Sequence, residues 1–439
     1  EQFKGVMVTG MPTPNCDQGF VSPENLREEV LGVIGGKKLG VDVNNFLRGD
    51  ETEFLKDLED VTERTAKLGL HLISTLNWDF FMVVFDDLDR LQHVFWHHMD
   101  PQHPFYDERK ARTYRDVILH FYQFLERQIE AFLPFVDDDT VLFVFSDHGM
   151  GPVYRNFYIN KFFMERGWLK IRKQAIDTKK ILRHSGLSFE RIKLFLNRTK
   201  LQALIHRVVP SGLRAMIRKG LPADSIEFEV VDWSGILDWD DTSAYFCSKT
   251  GRGILINRAK VGDYEKFRDE VIQTLESVKD PGTGKCVINK VYRREEVYSG
   301  PCVVNAPDLL VEPAETYELQ EAAGKEIFET INMNRIPISA KHHKEGILMV
   351  YGKQCLREGV RISDVKLVDI APTILHILGL PVPHEIDGRV ITEAISEEVL
   401  RNNPVEYGDI PLQMGRGGAI SREDEAAIVT QLRGMGYMD

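Results

Sequence analysis

Cysteine is scarce and scattered in this 439-residue sequence: Cys16, Cys247, Cys286, Cys302 and Cys355 form no C-x-x-C pair and are odd in number. That excludes a zinc ribbon and a disulfide scaffold and leaves a reducing cytoplasm as the default compartment. Long apolar runs are missing as well. None approaches the ~20 residues that span a bilayer; the best, Phe80–Phe85 and Val141–Phe145, have the length of strands. A cytoplasmic chain, soluble or peripheral to a membrane, is expected. Positive charge is in deficit, with 55 Lys and Arg against 67 Asp and Glu and a net charge of −12. A protein whose whole surface binds nucleic acid is thereby excluded, and no specific nucleic-acid binding is expected. There is no tandem repeat, no low-complexity tract, and neither an initiating Met nor a signal-like segment before Glu1, so the natural start is expected to lie elsewhere.

What is present is an ordinary folded composition, 43% hydrophobic, 10% aromatic and 28% charged, enough for two or three structural units. The runs Phe80–Phe85 and Val141–Phe145 are rich in Val and Phe and end abruptly in acids. Buried parallel strands look like this where their C-terminal ends open into a site. Between them, from Arg109 to Phe135, Ile118, Phe121, Leu125, Ile129 and Phe132 recur at three- and four-residue spacing, which predicts an amphipathic helix. Strand, helix, strand reads as a right-handed crossover. The grammar repeats later, with a strand over Gly346–Gly352 and a helix over Asp369–Gly379 that has an early Pro and a closing Gly. The fold class is α/β.

Charge breaks the chain in the middle. From Arg166 to Lys219 fifteen Lys and Arg face only Asp177 and Glu190, an excess of thirteen positive charges. The expected organisation is a first core segment over residues 1–165, a basic helical insertion or cap over 166–230, a second core segment over 231–400, and a tail over 401–439. In the tail, Ser421 and Asp424 start a short helix. The insertion reads either as a solvated cap that offsets the acidic body, or as a surface for an anionic substrate or an anionic membrane.

Three clusters carry chemistry. Asp86-Asp87-Leu88-Asp89-Arg90-Leu91-Gln92-His93 follows the first apolar run, with Asp89 and His93 one helical turn apart and able to face one point. A carboxylate and an imidazole so placed can share a cation such as Zn²⁺. Ser146-Asp147-His148-Gly149 ends the second run, with Gly149 expected to turn the backbone sharply. Lys341-His342-His343-Lys344-Glu345-Gly346 precedes a predicted strand. Alone, each reads as a surface pair or a polar loop. Asp and His together at neighbouring strand ends supply about the ligands that a two-metal site needs. His97 and His98 are expected at the helix surface flanking Trp96, and Arg90 and Lys341 as exposed structural charges.

Asp89-x-x-x-His93, Ser146-Asp147-His148-Gly149, and His342 with Gly346 follow the order seen in the alkaline phosphatase superfamily. The sequence most resembles the type I phosphodiesterase / nucleotide pyrophosphatase family. Supporting segments are Gly10–Pro14, Gln92–Trp96, Asn156–Asn160, Gly253–Asn257, Ala306–Leu310 and Asp387–Arg389. The resemblance covers nearly the whole chain except the basic insertion. It implies an alkaline phosphatase-like core, a mostly parallel central sheet flanked by helices, and two divalent metal ions, Zn²⁺ with Mn²⁺ as the other option. Asp89, His93 and His342 would hold one ion, and Asp147 with His148 would supply part of the second site.

It further implies hydrolysis of phosphoric esters on a phosphorylated small molecule or nucleotide, by in-line displacement at phosphorus. The family's second site also uses an Asp from an N-terminal strand and a Thr or Ser nucleophile just after it, and neither is found here. Phe3–Met11 resembles a segment downstream of that nucleophile, so the chain is expected to be truncated at its N-terminus, with Thr9 a hydroxyl outside the nucleophile turn. The alternatives are another activity of the superfamily (phosphomonoesterase, sulfatase or phosphomutase) or a non-catalytic metal- or anion-binding protein lacking the nucleophile.

Overall fold

A computed structural model of the chain describes residues 5–10, 19–40, 50–172, 237–248, 251–321, 326–333 and 338–409. Nearly all of the basic insertion, and the tail from residue 410 onward with Ser421 and Asp424, therefore lie outside the described residues. The chain divides into two compact units, one from Glu1–Val153 with Asn332–Gly436, the other chiefly Tyr154–Ile331. The architecture is mixed α/β, with helices and six small sheets among the described residues.

After a short antiparallel ladder of Met7–Val8 with Val21–Ser22, the first unit continues with α1 (Arg27–Val33) and the 25-residue α2 (Glu51–Thr75). Asp50 caps α2, its side chain accepting from the Glu53 amide at 3.1 Å. Helix α3 (Asp87–Met99) follows, then α4 (Glu108–Tyr114), capped by Asp107, and α5 (Val117–Glu130). The single helix expected over Arg109–Phe135 is thus two helices, interrupted at Arg115–Asp116, where the buried positions step from Ala111 to Val117. The apolar stripes of α2, α3 and α5 meet in one cluster: Phe54 and Leu58, then Leu91, Val94 and Phe95, then Ile118, Phe121 and Leu125. Burying those side chains against one another fixes α3, the helix that carries Asp89 and His93.

Strands β1 (Leu142–Phe145) and β2 (Gly149–Pro152) close the first part of this unit. The chain then enters the second unit: β3 (Arg155–Tyr158), α6 (Ile159–Glu165), β4 (Ala244–Ser248), β5 (Gly253–Ile256), α7 (Tyr264–Glu276), β6 (Ile288–Arg293), β7 (Leu309–Pro313), β8 (Tyr317–Gln320) and β9 (Phe328–Thr330). Here β4, β5, β7 and β6 form an antiparallel sheet in that order, and β3 lies between β8 and β9. The core holds Phe157, Phe163, Phe246, Ile254, Val271 and Leu309.

Returning to the first unit, β10 (Ala340–His343) pairs antiparallel with β2, and β11 (Leu348–Tyr351) with β1; α8 (Ile370–Ile377) follows. The expected later strand and helix are both present, and Gly379 closes α8 with φ +68°. Two other expectations are corrected. Most described ladders are antiparallel, β3 with β8 being a parallel exception, so a mostly parallel central sheet is not seen among the described residues. Phe80–Phe85 lies in no strand: Phe80, Met82 and Val84 are each more than half exposed while Phe81, Val83 and Phe85 are partly buried. Only one face of the run is covered, and no described strand offers it a ladder.

Candidate metal centre

The centre is assembled by three elements of the first unit. Helix α3 presents Asp89 and His93 on successive turns of one face. Strand β10 presents His342, placed by the register His342↔Met150 and His343↔Gly149 against β2, and His148 immediately precedes β2. Ser339, just before β10, ties that strand to α3. Its amide donates to the His93 carbonyl at 2.7 Å and its hydroxyl reaches the Val94 carbonyl at 3.1 Å.

Glycine makes the approach of these segments possible. A Cβ on Gly149 would stand 2.1 Å from the Glu345 carbonyl oxygen, and one on Gly346 2.6 Å from Ser146 Oγ. Gly149 is therefore required for space at the start of a strand, not for the sharp turn expected of it. Gly346 is required for the same reason.

The result is a convergence on one carboxylate oxygen. Asp89 Oδ1 lies 3.1 Å from His342 Nε2, 3.4 Å from His93 Nε2 and 3.7 Å from His148 Nε2. His93 Nε2 and His342 Nε2 are 3.0 Å apart, and the His148 and His342 rings stack at 3.8 Å. Two tautomers follow from the partners. His93 Nδ1 meets the Ala340 carbonyl at 2.7 Å and His148 Nδ1 the Gly149 carbonyl at 2.9 Å. A carbonyl only accepts, so both rings donate from Nδ1 and turn an Nε2 lone pair inward. Two imidazole lone pairs and a carboxylate aimed at one point form a donor set for a borderline divalent cation. Asp89, His148 and His342 satisfy the spacing of such a group, with ligand atoms within 4.8 Å of one another. Asp147, by contrast, is 73% exposed, its carboxylate 3.7 Å from His148 Nε2.

The surrounding charges are structural, and they are buried where exposure was expected. Arg90 is buried and donates to Asp86 Oδ2 at 2.6 Å; Lys341 is buried within β10. Burial, then the charge of Asp86, pushes the Asp87 carboxyl up to about 7, against a hydrogen bond of 2.7 Å from the Thr62 hydroxyl. Thr62 and Asp87 thus anchor the first turn of α3 to α2. His97 and His98 are buried too, at 5% and 0% exposure, rather than flanking Trp96 on a surface.

The described hydroxyls nearest in sequence to the ligands are occupied elsewhere: Ser146 Oγ accepts from the Ile347 amide at 2.9 Å, and Ser339 is spent on α3. Thr9 donates to the Phe20 carbonyl at 3.2 Å. Sequence reasoning missed Ser339 and Thr62, because a lone hydroxyl with a long-range partner leaves no local pattern. Among the described residues no helix is long and apolar enough to cross a membrane.

No curated protein and no solved structure matches the chain. The family model for type I phosphodiesterase / nucleotide pyrophosphatase matches residues 13–343, about three quarters of the sequence, and that span contains Asp89, His93, Asp147, His148 and His342. The chain belongs to the type I phosphodiesterase / nucleotide pyrophosphatase family.

Proposed function

We propose that this chain holds the two-cation centre of a metal-dependent hydrolase of phosphoric esters that acts on phosphodiesters or nucleotide pyrophosphates. Asp89, His93 and His342 hold one divalent ion, and His148 with Asp147 supplies part of the second site. Zn²⁺ suits the nitrogen-rich set best, and Mn²⁺ is the other ion it accepts. The proposal also keeps an alkaline phosphatase-like core as the frame and a phosphorylated small molecule or nucleotide as substrate. The observation that carries the reading is the convergence of three Nε2 atoms on Asp89 Oδ1 with the His93 and His148 tautomers pinned.

Bound cations supply Lewis acidity at the phosphoryl oxygens and at the attacking and leaving oxygens. The chain's own part is positional. Ala340 and Gly149 hold the His93 and His148 rings, Ser339 holds α3 against β10, and Asp89 places a carboxylate among the three imidazoles. A new P–O bond forms as the ester P–O bond opposite it breaks, and the leaving oxygen takes up a proton. The attacking hydroxyl is assigned to none of the described residues.

The test is hydrolysis of a chromogenic phosphodiester beside the matching monoester, with Zn²⁺ or Mn²⁺ added, against a His148→Ala control. Metal-dependent cleavage favouring the diester and falling at least about 100-fold in the control supports the reading. Preference for the monoester would move it to another activity of the superfamily, and cleavage unchanged in the control would contradict it. The occupied hydroxyls favour one second reading, a metal- or anion-binding protein, which is distinguished by stoichiometric metal binding without turnover.

A further inference from the structure

One turn beyond His93, the same helix contributes two histidines to a second group of ligand-type side chains that the phosphoesterase reading does not use. Glu51, in the first turn of α2, His97 and His98 place ligand atoms within 4.8 Å of one another. His98 Nε2 lies 3.1 Å from Glu51 Oε1, and the His97 and His98 rings are 3.8 Å apart. His97 Nδ1 donates to the Val94 carbonyl at 2.9 Å, so its Nε2 keeps a lone pair, the orientation that a carbonyl partner gives a metal-binding imidazole. His103 is not a further ligand through Nδ1, since that nitrogen accepts from the Phe105 amide at 3.1 Å.

As a hydrogen-bonded network this cluster is not closed. His98 is fully buried, and its Nδ1 has no hydrogen-bond partner, a situation that protein interiors avoid. The carboxylate, in turn, is neutralised by a replaceable group. Lys110 Nζ sits 2.8 and 2.9 Å from the two Glu51 oxygens, and its side chain is half exposed on α4.

We propose that Glu51, His97 and His98 form a separate binding site for a borderline divalent cation of the Zn²⁺ class, with Lys110 standing in for that cation in the metal-free protein. Two imidazoles and one carboxylate are a three-ligand set that leaves a fourth tetrahedral position for water or an anion. Binding the ion displaces Lys110 from Glu51, so the lysine competes with the metal. The proposal does not rest on the reading of Asp89, His93, His148 and His342, and it is tested with that centre disabled.

The experiment is a Co²⁺ titration, followed by visible absorption, of the full chain carrying Asp89→Asn and His342→Gln, with folding checked by circular dichroism. The expected result is one equivalent bound with a tetrahedral spectrum, at least about tenfold tighter when Lys110→Met is added and lost when His97→Ala is added. Absence of binding in the doubly substituted chain overturns the proposal. Binding that Lys110→Met leaves unchanged or weakens overturns it equally, and that comparison decides the matter if His97→Ala fails to fold.

Discussion

The Nδ1 atoms of His93 and His148 decide the chemistry of the centre, because each meets a backbone carbonyl that can only accept. The inward nitrogens are thereby lone pairs, and the Asp89 carboxylate faces them. Part of this was legible in the sequence. The four-residue spacing of Asp89 and His93 and the Asp147-His148 dipeptide were visible as ligand patterns. The burial of His97 and His98, and the partnership of His98 with Glu51, were not, because 47 positions separate that pair and no local periodicity records it. Gly149 belongs to the same scale. Gly149→Ala forces a methyl into the Glu345 carbonyl, and the expected cost is about 1–3 kcal/mol of stability. Urea denaturation reads this, and an unchanged midpoint would show that β2 and the 343–346 segment can separate without loss.

At the scale of elements, α3 is the organising piece. The one-turn spacing of Asp89 and His93 on it was readable in the sequence, and so was the amphipathic pattern of α5. The pairing of β10 with β2 was not readable, because register is set by side chains nearly two hundred residues apart. The Phe80–Phe85 run misled for a related reason: apolarity on both faces suits a central strand, but a strand also needs a neighbour, which composition cannot supply. Ser339 links the two elements that face each other across the centre. Ser339→Ala is expected to cost about 1 kcal/mol and to weaken Zn²⁺ binding several-fold by loosening α3 from β10; calorimetric titration with zinc measures this, and unaltered affinity would remove Ser339 from the account. Helix α8 carries a pH-sensitive group. Burial lowers the pKa of His376, so its folded value lies below its unfolded one. The stability it contributes is present above about pH 6.5 and is lost as pH falls through the lowered value. His376→Leu is expected to flatten the fall of the thermal midpoint below about pH 6.5, and parallel slopes in the two proteins would refute that.

At the scale of the whole molecule, the segments that resemble the family divide between proposed metal ligands and framework. In the second unit, Asn160 bonds both the amide and the carbonyl of Phe246, at 2.8 and 2.9 Å, and buried Asp308 accepts from the Ile256 amide at 2.7 Å and the Tyr264 hydroxyl at 2.5 Å. In the first, Asp369 accepts from the Arg389 amide at 2.9 Å, which anchors the Asp387–Arg389 segment. These residues keep backbone groups satisfied around the cores, so a short recognisable motif need not mark chemistry. The proposed ligands are the exception, since four of the five named from the sequence meet within the first unit around one carboxylate oxygen. The central claim is that this convergence binds metal. The most direct measurement is anomalous diffraction at the zinc absorption edge from crystals of the zinc-loaded protein. A peak is expected about 2.0–2.2 Å from His93 Nε2, His342 Nε2 and an Asp89 oxygen, with a second peak beside His148. No peak within bonding distance of Asp89 would contradict it.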